Sequence, residues 1–258
     1  TEAGEHCFTL EAVVTNDPNQ QEQASDSIQL HLTVPELHTC DAALNQVSMS
    51  VDPGETLTNT VTFSNTGNAD WTIRFDFSGS RNWISVVGGS THLLPYNGGS
   101  GTVSFDFTVS PDDSMPANTE IPFDIDGYDD QSNKCSAELN LILGQSHAAD
   151  IDLQSTRISD VEPGTTVTTQ VTVSNLGNGA ETFSVGTSTV PGWTTSFETG
   201  TITLNGRHDT SGTSGSLTLS ISAPQDALAT DELLFTVSVS SSGGSTTYMS
   251  DDITVTVA

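Results

Sequence analysis

The sequence has 258 residues and a formal net charge of −28, because 33 aspartates and glutamates outnumber five lysines and arginines. This charge repels phosphate groups and anionic lipid headgroups, and it argues against nucleic acids and membrane surfaces as partners. No run of about 18 apolar residues predicts direct membrane insertion, and no signal-peptide pattern is present. The acidic residues are spread along the whole chain, which indicates adaptation to salty water, as in a marine or halophilic source.

The first predicted element is a pair of strands within residues 1–37. The segments Phe8-Thr-Leu-Glu-Ala-Val-Val14 and Ile28-Gln-Leu-His-Leu-Thr-Val34 alternate apolar and polar residues, as half-buried strands do. They resemble the last two strands of the repeats that follow. An isolated hairpin is only marginally stable in water, so we expect residues 1–37 to be a partial immunoglobulin-like domain. We expect the rest of that domain upstream in the same polypeptide or in another subunit.

Three landmarks recur at a spacing of 110 residues in the remainder of the chain. They are Val51-Asp-Pro-Gly54 with Val161-Glu-Pro-Gly164, Ser64-Asn-Thr-Gly-Asn68 with Ser174-Asn-Leu-Gly-Asn178, and Trp83 with Trp193. One spacing shared by turn, strand and aromatic landmarks indicates two copies of one folded unit. The predicted domains are residues 38–146 and 147–258.

Strand signals dominate both copies. Residues 60–64 and 170–174 alternate with period two, with one apolar face and one face of Ser and Thr. No window of about 11 residues holds a helical period. The predicted fold class is all-β: two complete immunoglobulin-like β-sandwiches in tandem, preceded by the C-terminal hairpin of another. Trp83 and Trp193 are expected to cover one end of each core.

The three cysteines suggest one disulfide bond. Cys135 shares the inward face of the last strand of the first copy, and Cys40 shares the inward face of its first strand. First and last strands are commonly neighbours in such sandwiches, so we predict a Cys40–Cys135 disulfide, which an extracellular setting favours. The alternative is two unpaired core thiols. Cys7 is left over, and its partner is expected in the missing part of its domain.

The order of landmarks in each copy resembles the bacterial and archaeal extracellular families called CARDB and NEW3. The match is closest in the second copy, where the chain reads Pro191-Gly-Trp-Thr-Thr-Ser-Phe197 and then Leu217-Thr-Leu-Ser-Ile-Ser-Ala-Pro224. It departs from the family at Asn205-Gly-Arg-His-Asp, where a Pro-Gly-Glu-like turn is usual. The resemblance implies a spacer, an adhesion module or an enzyme appendage, and it implies no catalytic site.

One group of carboxylates is a candidate calcium site. Asp124 and Asp126 project from one face of a strand, and Asp129 and Asp130 follow in the next loop. Their oxygens could converge on a hard cation such as Ca²⁺. The alternative is a solvated acidic face, since the spacing is not that of an EF-hand loop and the second copy lacks these residues. No other cofactor is expected.

Exposed aromatic rings would be needed for a carbohydrate-binding platform. The candidates are Trp71, Tyr96, Tyr128 and Tyr248. Position 181, which corresponds to Trp71 in the second copy, is Glu. The six histidines show no metal-ligand spacing on a shared strand, and His6, His31 and His38 lie where they could approach Cys7 without defining a closed zinc site.

These observations favour a non-catalytic segment of a larger secreted or cell-surface protein. No Gly-x-Ser-x-Gly elbow and no Gly-rich phosphate loop indicates an enzyme. The leading hypothesis is a structural spacer or adhesion stalk, with other domains of the same polypeptide or neighbouring subunits as partners. The alternatives are a subunit of an extracellular filament or sheath assembled by strand exchange, and an accessory carbohydrate-binding module of a secreted hydrolase.

Overall fold

The computed structural model describes residues 1–13, 25–78, 82–130, 132–229 and 231–258. Val14, the last residue of the first predicted strand, lies outside these ranges. The described residues form β-strands and one short 3₁₀ turn at Asn97–Gly99. The predicted all-β fold class is therefore confirmed. In the described ranges, none of the secondary structure is a helix of the length and apolarity needed to cross a membrane.

The strands in chain order are β1 Gly4–Val13, β2 Ser25–Val34, β3 Cys40–Leu44, β4 Ser48–Val51, β5 Leu57–Asn65, β6 Trp71–Phe77, β7 Ile84–Val87, β8 Thr91–Leu94, β9 Thr102–Val109, β10 Glu120–Tyr128, β11 Asn133–Leu143, β12 Ala149–Leu153, β13 Arg157–Val161, β14 Thr166–Asn175, β15 Glu181–Thr187, β16 Thr194–Phe197, β17 Thr201–Leu204, β18 Ser214–Ser222, β19 Glu232–Ser241 and β20 Thr247–Val257.

The chain divides into two compact units. Unit 1 comprises residues 1–49, 56–109 and 122–141, and unit 2 comprises residues 50–55, 110–121 and 142–258. Unit 1 contains the hairpin of β1 and β2 as well as most of the first sandwich. Unit 2 contains the whole second sandwich, residues 142–148 that lead into it, and the two short segments 50–55 and 110–121.

Both sandwiches have the same topology, with one sheet of four strands and one of five. In the first, the sheets have the orders β3-β5-β9-β7 and β4-β11-β10-β6-β8. In the second, the orders are β12-β14-β18-β16 and β13-β20-β19-β15-β17. Each strand of the first sandwich therefore has a counterpart in the second, as expected for two copies of one unit.

Alternating side chains of the facing sheets form the two cores. The largest fully buried side chains are Phe63, Ile73, Leu94, Phe107, Ile125, Leu139, Leu141 and Leu143 in the first sandwich, and Phe183, Leu219, Ile221 and Phe235 in the second. Trp83 packs edge-on against Phe123 at a centroid distance of 6.4 Å, and Trp193 lies 5.9 Å from Phe235. Both indoles are half-buried at the margin of their core, where the sequence places them.

The first strand of each sandwich divides between the two sheets. β3 pairs antiparallel with β5, whereas β4 lies beside the last strand, β11. In the second copy, β12 pairs antiparallel with β14 and β13 pairs parallel with β20. The first strand is therefore a neighbour of the last strand, as expected, only in its second half, and β3 with Cys40 lies in the other sheet. In the first sandwich the buried Asn59 side chain binds the segment between β3 and β4, where the chain passes from one sheet to the other. Its Oδ1 accepts from the Gln46 N–H at 3.1 Å, and its Nδ2 donates to the Gln46 carbonyl at 2.7 Å.

The N-terminal hairpin of β1 and β2 is a two-stranded antiparallel sheet. Phe8 pairs with Leu30 and Leu10 pairs with Ile28, so these four apolar side chains share one face. Within the described residues this face is exposed: Phe8 is 52% accessible and Leu30 is 46% accessible. The hairpin thus presents an apolar face to solvent within the described residues.

Candidate functional site

The Asn-x-Gly-Asn turn of the first copy holds the segment that leads into its sandwich. The Asn68 Oδ1 accepts from the Leu37 N–H at 2.7 Å, and its Nδ2 donates to the Pro35 carbonyl at 3.0 Å. Gly67 lies so close to this segment that a Cβ atom there would be 2.0 Å from the Leu37 carbonyl oxygen. The Gly is therefore required for close approach, and the second Asn of the motif fastens the entering chain.

Unit 2 repeats the arrangement at the equivalent positions. The Asn178 Oδ1 accepts from the Ser146 N–H at 2.7 Å, and its Nδ2 donates to the Gly144 carbonyl at 3.1 Å. A Cβ on Gly177 would lie 2.3 Å from the Ser146 carbonyl oxygen. Asn178 is almost fully buried, and its amide satisfies backbone groups of a partly buried segment. We call this arrangement the entry clamp.

The first Asn of each motif shapes the turn itself. The Asn65 Oδ1 accepts from the Gly67 N–H at 2.9 Å, and its Nδ2 donates to the Ala69 carbonyl at 2.9 Å. Asn175 makes the same pair of bonds with Gly177 and Gly179. The sequence identifies the motif as a turn but does not reveal the entry clamp, because the clamped carbonyls lie more than 30 residues away.

A cleft of about 490 Å³ lies beside the entering segment in unit 1. His38 stacks on Trp71 with a centroid distance of 5.4 Å and an interplanar angle of 11°. The His38 Nδ1 lies 3.3 Å from the Asp129 carboxylate, which also pairs with the Lys134 Nζ at 3.1 Å. Aspartates and glutamates line much of the remaining wall, at Glu36, Asp70 and Asp130.

Trp71 is therefore not the exposed ring that a carbohydrate platform needs. Its side chain is 4% accessible, because His38 covers it, and its indole N–H has no partner within the described residues. Tyr128 is also occupied, since Arg74 lies over its ring at 5.5 Å and its hydroxyl donates to Asp126. Burial and the neighbouring Asp126 charge raise the pKa of Tyr128.

The two other tyrosines named as platform candidates are Tyr96 in unit 1 and Tyr248 in unit 2. Tyr96 is half-buried beside the 3₁₀ turn, where its backbone N–H donates to Asp70 at 2.6 Å. The Tyr248 hydroxyl donates to the His147 carbonyl in unit 2 at 2.8 Å.

In unit 2 the pair that corresponds to His38 and Trp71 is His147 and Glu181. The Glu181 carboxylate is buried, and the His147 Nδ1 hydrogen-bonds to it. The Gly243 N–H donates to the Glu181 Oε1 at 2.9 Å, and the Gln145 Nε2 donates to the Oε2 at 3.2 Å. Burial opposes ionisation of Glu181, but the hydrogen bonds from His147 and Gly243 outweigh it and lower the pKa of the carboxyl group.

The structure contains the Cys40–Cys135 disulfide, with a Cα–Cα distance of 5.4 Å. It joins β3 of the four-stranded sheet to β11 of the five-stranded sheet. The bond therefore crosses between the two sheets. The strand order predicted from the sequence would instead have placed it between neighbouring strands of one sheet. Cys7 is a free, exposed thiol.

The four aspartates predicted to bind calcium do not converge. Asp126 accepts bonds from Asn133 and Ser136, and Asp129 is held by Lys134 and His38. Asp124 and Asp130 are exposed. Among the residues the structure describes, these carboxylates supply no three ligand atoms close enough to share one ion. Calcium binding at these aspartates stays a prediction, and an ion there would have to compete with the protein donors that Asp126 and Asp129 already have.

Known proteins match the chain in fold alone. No model of a protein family matches it, and neither does any curated protein. Among solved structures, the chain is similar to three protocadherin fragments. PcdhgB3 EC1-4 matches with a TM-score of 0.54 and 15% identity, over 98% of this chain and 57% of that chain. The protocadherin gamma B4 extracellular domain matches with a TM-score of 0.53 and 14% identity, over 98% of this chain and 37% of that chain. Protocadherin gamma B2 extracellular cadherin domains 1–5 match with a TM-score of 0.51 and 15% identity, over 99% of this chain and 45% of that chain.

These similarities show tandem β-sandwiches of the cadherin and immunoglobulin kind. The chain spans between about a third and just over half of the length of the protocadherin chains. The finer resemblance to the CARDB and NEW3 families gains no support from the comparisons.

Proposed function

We propose that this chain is a non-catalytic, load-bearing segment of a larger secreted or cell-surface protein, acting as a spacer or adhesion stalk. The observation that carries the proposal is the parallel pairing of the second half of the first strand with the last strand. In the second sandwich the pairs are Arg157 with Thr254 and Val161 with Val257. The Thr254 N–H donates to the Thr156 carbonyl at 2.8 Å, and the Ala258 N–H donates to the Val161 carbonyl at 3.0 Å.

The first sandwich has the same geometry. The Asn140 N–H donates to the Val47 carbonyl at 2.9 Å, and the Gly144 N–H donates to the Val51 carbonyl at 2.8 Å. Both partners advance by four residues between these bonds, so the strands run in the same direction. The beginning of one strand and the end of the other then lie at opposite ends of the ladder. Tension between the ends of the second sandwich, which contains no cysteine, loads these bonds together in shear. In the first sandwich the Cys40–Cys135 bond carries the tension past β4 until it is reduced.

Two further features support a load-bearing role outside the cell. The Cys40–Cys135 disulfide joins the sheets of the first sandwich, and such bonds persist in oxidising compartments. The entry clamps of Asn68 and Asn178 fasten the chain where it enters each sandwich. Short, hydrogen-bonded entries restrict the freedom of the backbone there.

Single-molecule force spectroscopy on the whole chain, pulled from added terminal handles, tests this proposal. We expect one discrete cooperative rupture event while the Cys40–Cys135 bond is intact, and two under reducing conditions, because the bond prevents the residues between the cysteines from extending. The Ala258→Pro variant lacks the N–H that donates to Val161 and should lower the force of one event, because proline cannot donate to the ladder. The control Ala258→Ser keeps the N–H and should rupture as the unaltered chain does. Smooth extension without discrete events, or equal forces in both variants, would contradict the proposal.

A second candidate function rests on the exposed apolar face of the N-terminal hairpin. Phe8, Leu10, Ile28 and Leu30 occupy the face that is buried in the last hairpin of the second sandwich, where Phe235 is fully buried. A neighbouring copy of this chain could cover this face and so build a filament or sheath. The same face would equally suit the remaining strands of its own domain in a longer polypeptide.

Sedimentation velocity at micromolar concentration, in low and high salt and with a chelator present, tests self-assembly. We expect the unaltered chain to associate and a Phe8→Ser, Leu30→Ser double variant to sediment as a monomer. The matched control is Thr9→Ser with Gln29→Ser, a cross-strand pair on the opposite face. A monomeric unaltered chain under both salt conditions would reject this candidate and leave the load-bearing role untouched.

A further inference from the structure

The polar face of the N-terminal hairpin carries a cluster of three chemically different ligands. Glu5, Cys7 and His31 each offer one ligand atom, and all three atoms lie within 4.8 Å of one another. The Cys7 Sγ is 3.3 Å from the His31 Nδ1, which is 2.8 Å from the Glu5 Oε1. All three residues are exposed, so a solvated ion can reach them.

The strand register itself places these ligands. Cys7 and His31 are directly opposite each other on β1 and β2, and opposed side chains of an antiparallel pair lie on the same face. Glu5 precedes Cys7 by two residues and therefore projects from that face as well. No loop has to close to form the cluster. His6 belongs to the opposite face, and its Nε2 bonds to the Glu2 carbonyl at 2.8 Å.

We propose that Glu5, Cys7 and His31 form a binding site for a zinc-class divalent cation. Thiolate, imidazole and carboxylate are the three ligand types that Zn²⁺ takes in proteins, at about 2.3, 2.0 and 2.1 Å respectively. Tetrahedral geometry with these lengths separates sulfur and nitrogen by about 3.6 Å, and nitrogen and oxygen by about 3.4 Å. The observed separations of 3.3 and 2.8 Å reach those values with small rotations of exposed side chains.

The site would have three protein ligands, so its fourth position is open to water or to a donor from another molecule. Binding converts the Cys7 thiol to a thiolate and releases its proton to solvent. The net charge of −28 raises the local concentration of cations around the chain. Calcium and magnesium prefer all-oxygen ligand sets and therefore would not compete well for a site with sulfur and nitrogen.

The sandwich architecture does not require these ligands. In the last hairpin of the second sandwich, Leu234 precedes the buried Phe235 as Cys7 precedes Phe8. Its cross-strand partner is Thr254, in the position of His31. That hairpin keeps the fold with neither thiol nor imidazole, so it serves as an internal comparison. The inference is independent of the load-bearing role.

Titration calorimetry with Zn²⁺ tests the site on the whole chain at neutral pH, in high salt and excess Mg²⁺ to suppress binding by scattered carboxylates. A thiol assay first verifies one free thiol per chain. We expect one tight site. Cys7→Ser and His31→Gln should each weaken it by at least the roughly 10- to 100-fold seen when a supporting metal-site residue is lost. His6→Gln, on the opposite face, should stay within about twofold.

Replacing Zn²⁺ with Co²⁺ gives a second measurement that reports the ligands directly. We expect an intense near-ultraviolet thiolate-to-cobalt band and tetrahedral visible bands, both lost in Cys7→Ser and retained in His6→Gln. Circular dichroism of each variant verifies that it folds. Absence of a tight site in the unaltered chain, or equal losses from His31→Gln and His6→Gln, would overturn the proposal.

Discussion

Glu181 is buried in unit 2 and accepts a hydrogen bond from the His147 ring. The equivalent positions in unit 1 hold a Trp71 ring beneath a His38 ring. One architectural position thus accommodates a stacked aromatic pair in one copy and a charged hydrogen-bonded pair in the other. The two copies should therefore respond differently to acid.

Stability should fall with acid through Glu181. Its pKa is lowered by hydrogen bonds that outweigh the effect of burial, so its contribution is fully present above the pKa of an unfolded glutamate, about 4.3. The contribution is lost as pH falls through the lower folded value. Glu181→Gln should cost about 1.5–3 kcal/mol near neutral pH, as for a hydrogen bond to a charged group, and progressively less in acid.

Urea unfolding as a function of pH measures this difference. Glu198→Gln, an exposed carboxylate in the same sandwich, is the matched control and should change stability by less than about 0.5 kcal/mol. A Glu181→Gln penalty that stays constant down to pH 3 would show that the ionised carboxylate does not supply the stabilisation.

Loss of an entry clamp should destabilise the sandwich that it serves. Asn178→Ala leaves the Ser146 N–H and the Gly144 carbonyl without their side-chain partner, so we expect a loss of about 1–3 kcal/mol in the free energy of unfolding. Asn178→Asp keeps the acceptor and loses the donor, and its loss should be intermediate. Chemical denaturation measures both.

Leu176→Ala is the control for the clamp, because Leu176 is an exposed neighbour in the same turn. Its effect should be small. If Asn178→Ala were no more destabilising than Leu176→Ala, the clamp would be a geometric coincidence without energetic weight.

Removal of the disulfide should weaken the first sandwich selectively. The Cys40–Cys135 bond closes a loop with a sequence separation of 95 residues. Bonds of this span contribute about 2–5 kcal/mol, mainly by restricting the unfolded chain. Differential scanning calorimetry of a Cys40→Ala, Cys135→Ala variant should show one transition moved to lower temperature and the other unchanged. Cys7→Ser should move neither, and coordinated movement of both transitions would contradict the prediction.

Trp71 should behave as a core residue. Its indole is 4% accessible, so Trp71→Ala should cost about 3–5 kcal/mol. Trp71→Phe fills most of the volume and removes an N–H with no described partner, so its cost should be below about 1.5 kcal/mol. Urea unfolding distinguishes these values. A negligible effect of Trp71→Ala would mean that the ring is free to serve as a ligand platform after all.

Local patterns in the sequence were sufficient to predict most of the fold. Period-two alternation identifies the inward-facing Val61 and Phe63, and the recurrence of Pro-Gly turns shows that the same fold occurs twice. Strand parity also identified Cys40 and Cys135 as candidates for a disulfide. Each of these inferences depends on residues close together in the sequence, or on a repeat that is visible without the third dimension.

The remaining features depend on long-range contacts. The sequence does not show that His38 covers Trp71, or that Lys134 and His38 engage Asp129, because each partner lies on a different strand or loop. The sheet-switching first strand was also missed, since nothing in the spacing of apolar residues marks which half of it joins which sheet. The Glu5, Cys7 and His31 cluster required the register of β1 and β2.

The disulfide across the first sandwich makes the two copies unequal in the length to which they can be extended. Residues between Cys40 and Cys135 cannot be drawn out while the link is intact, which withholds about 330 Å of extended backbone. The second copy has no cysteine, so all of its backbone can be extended. Pulled from its ends, the chain would therefore lengthen chiefly at the second copy.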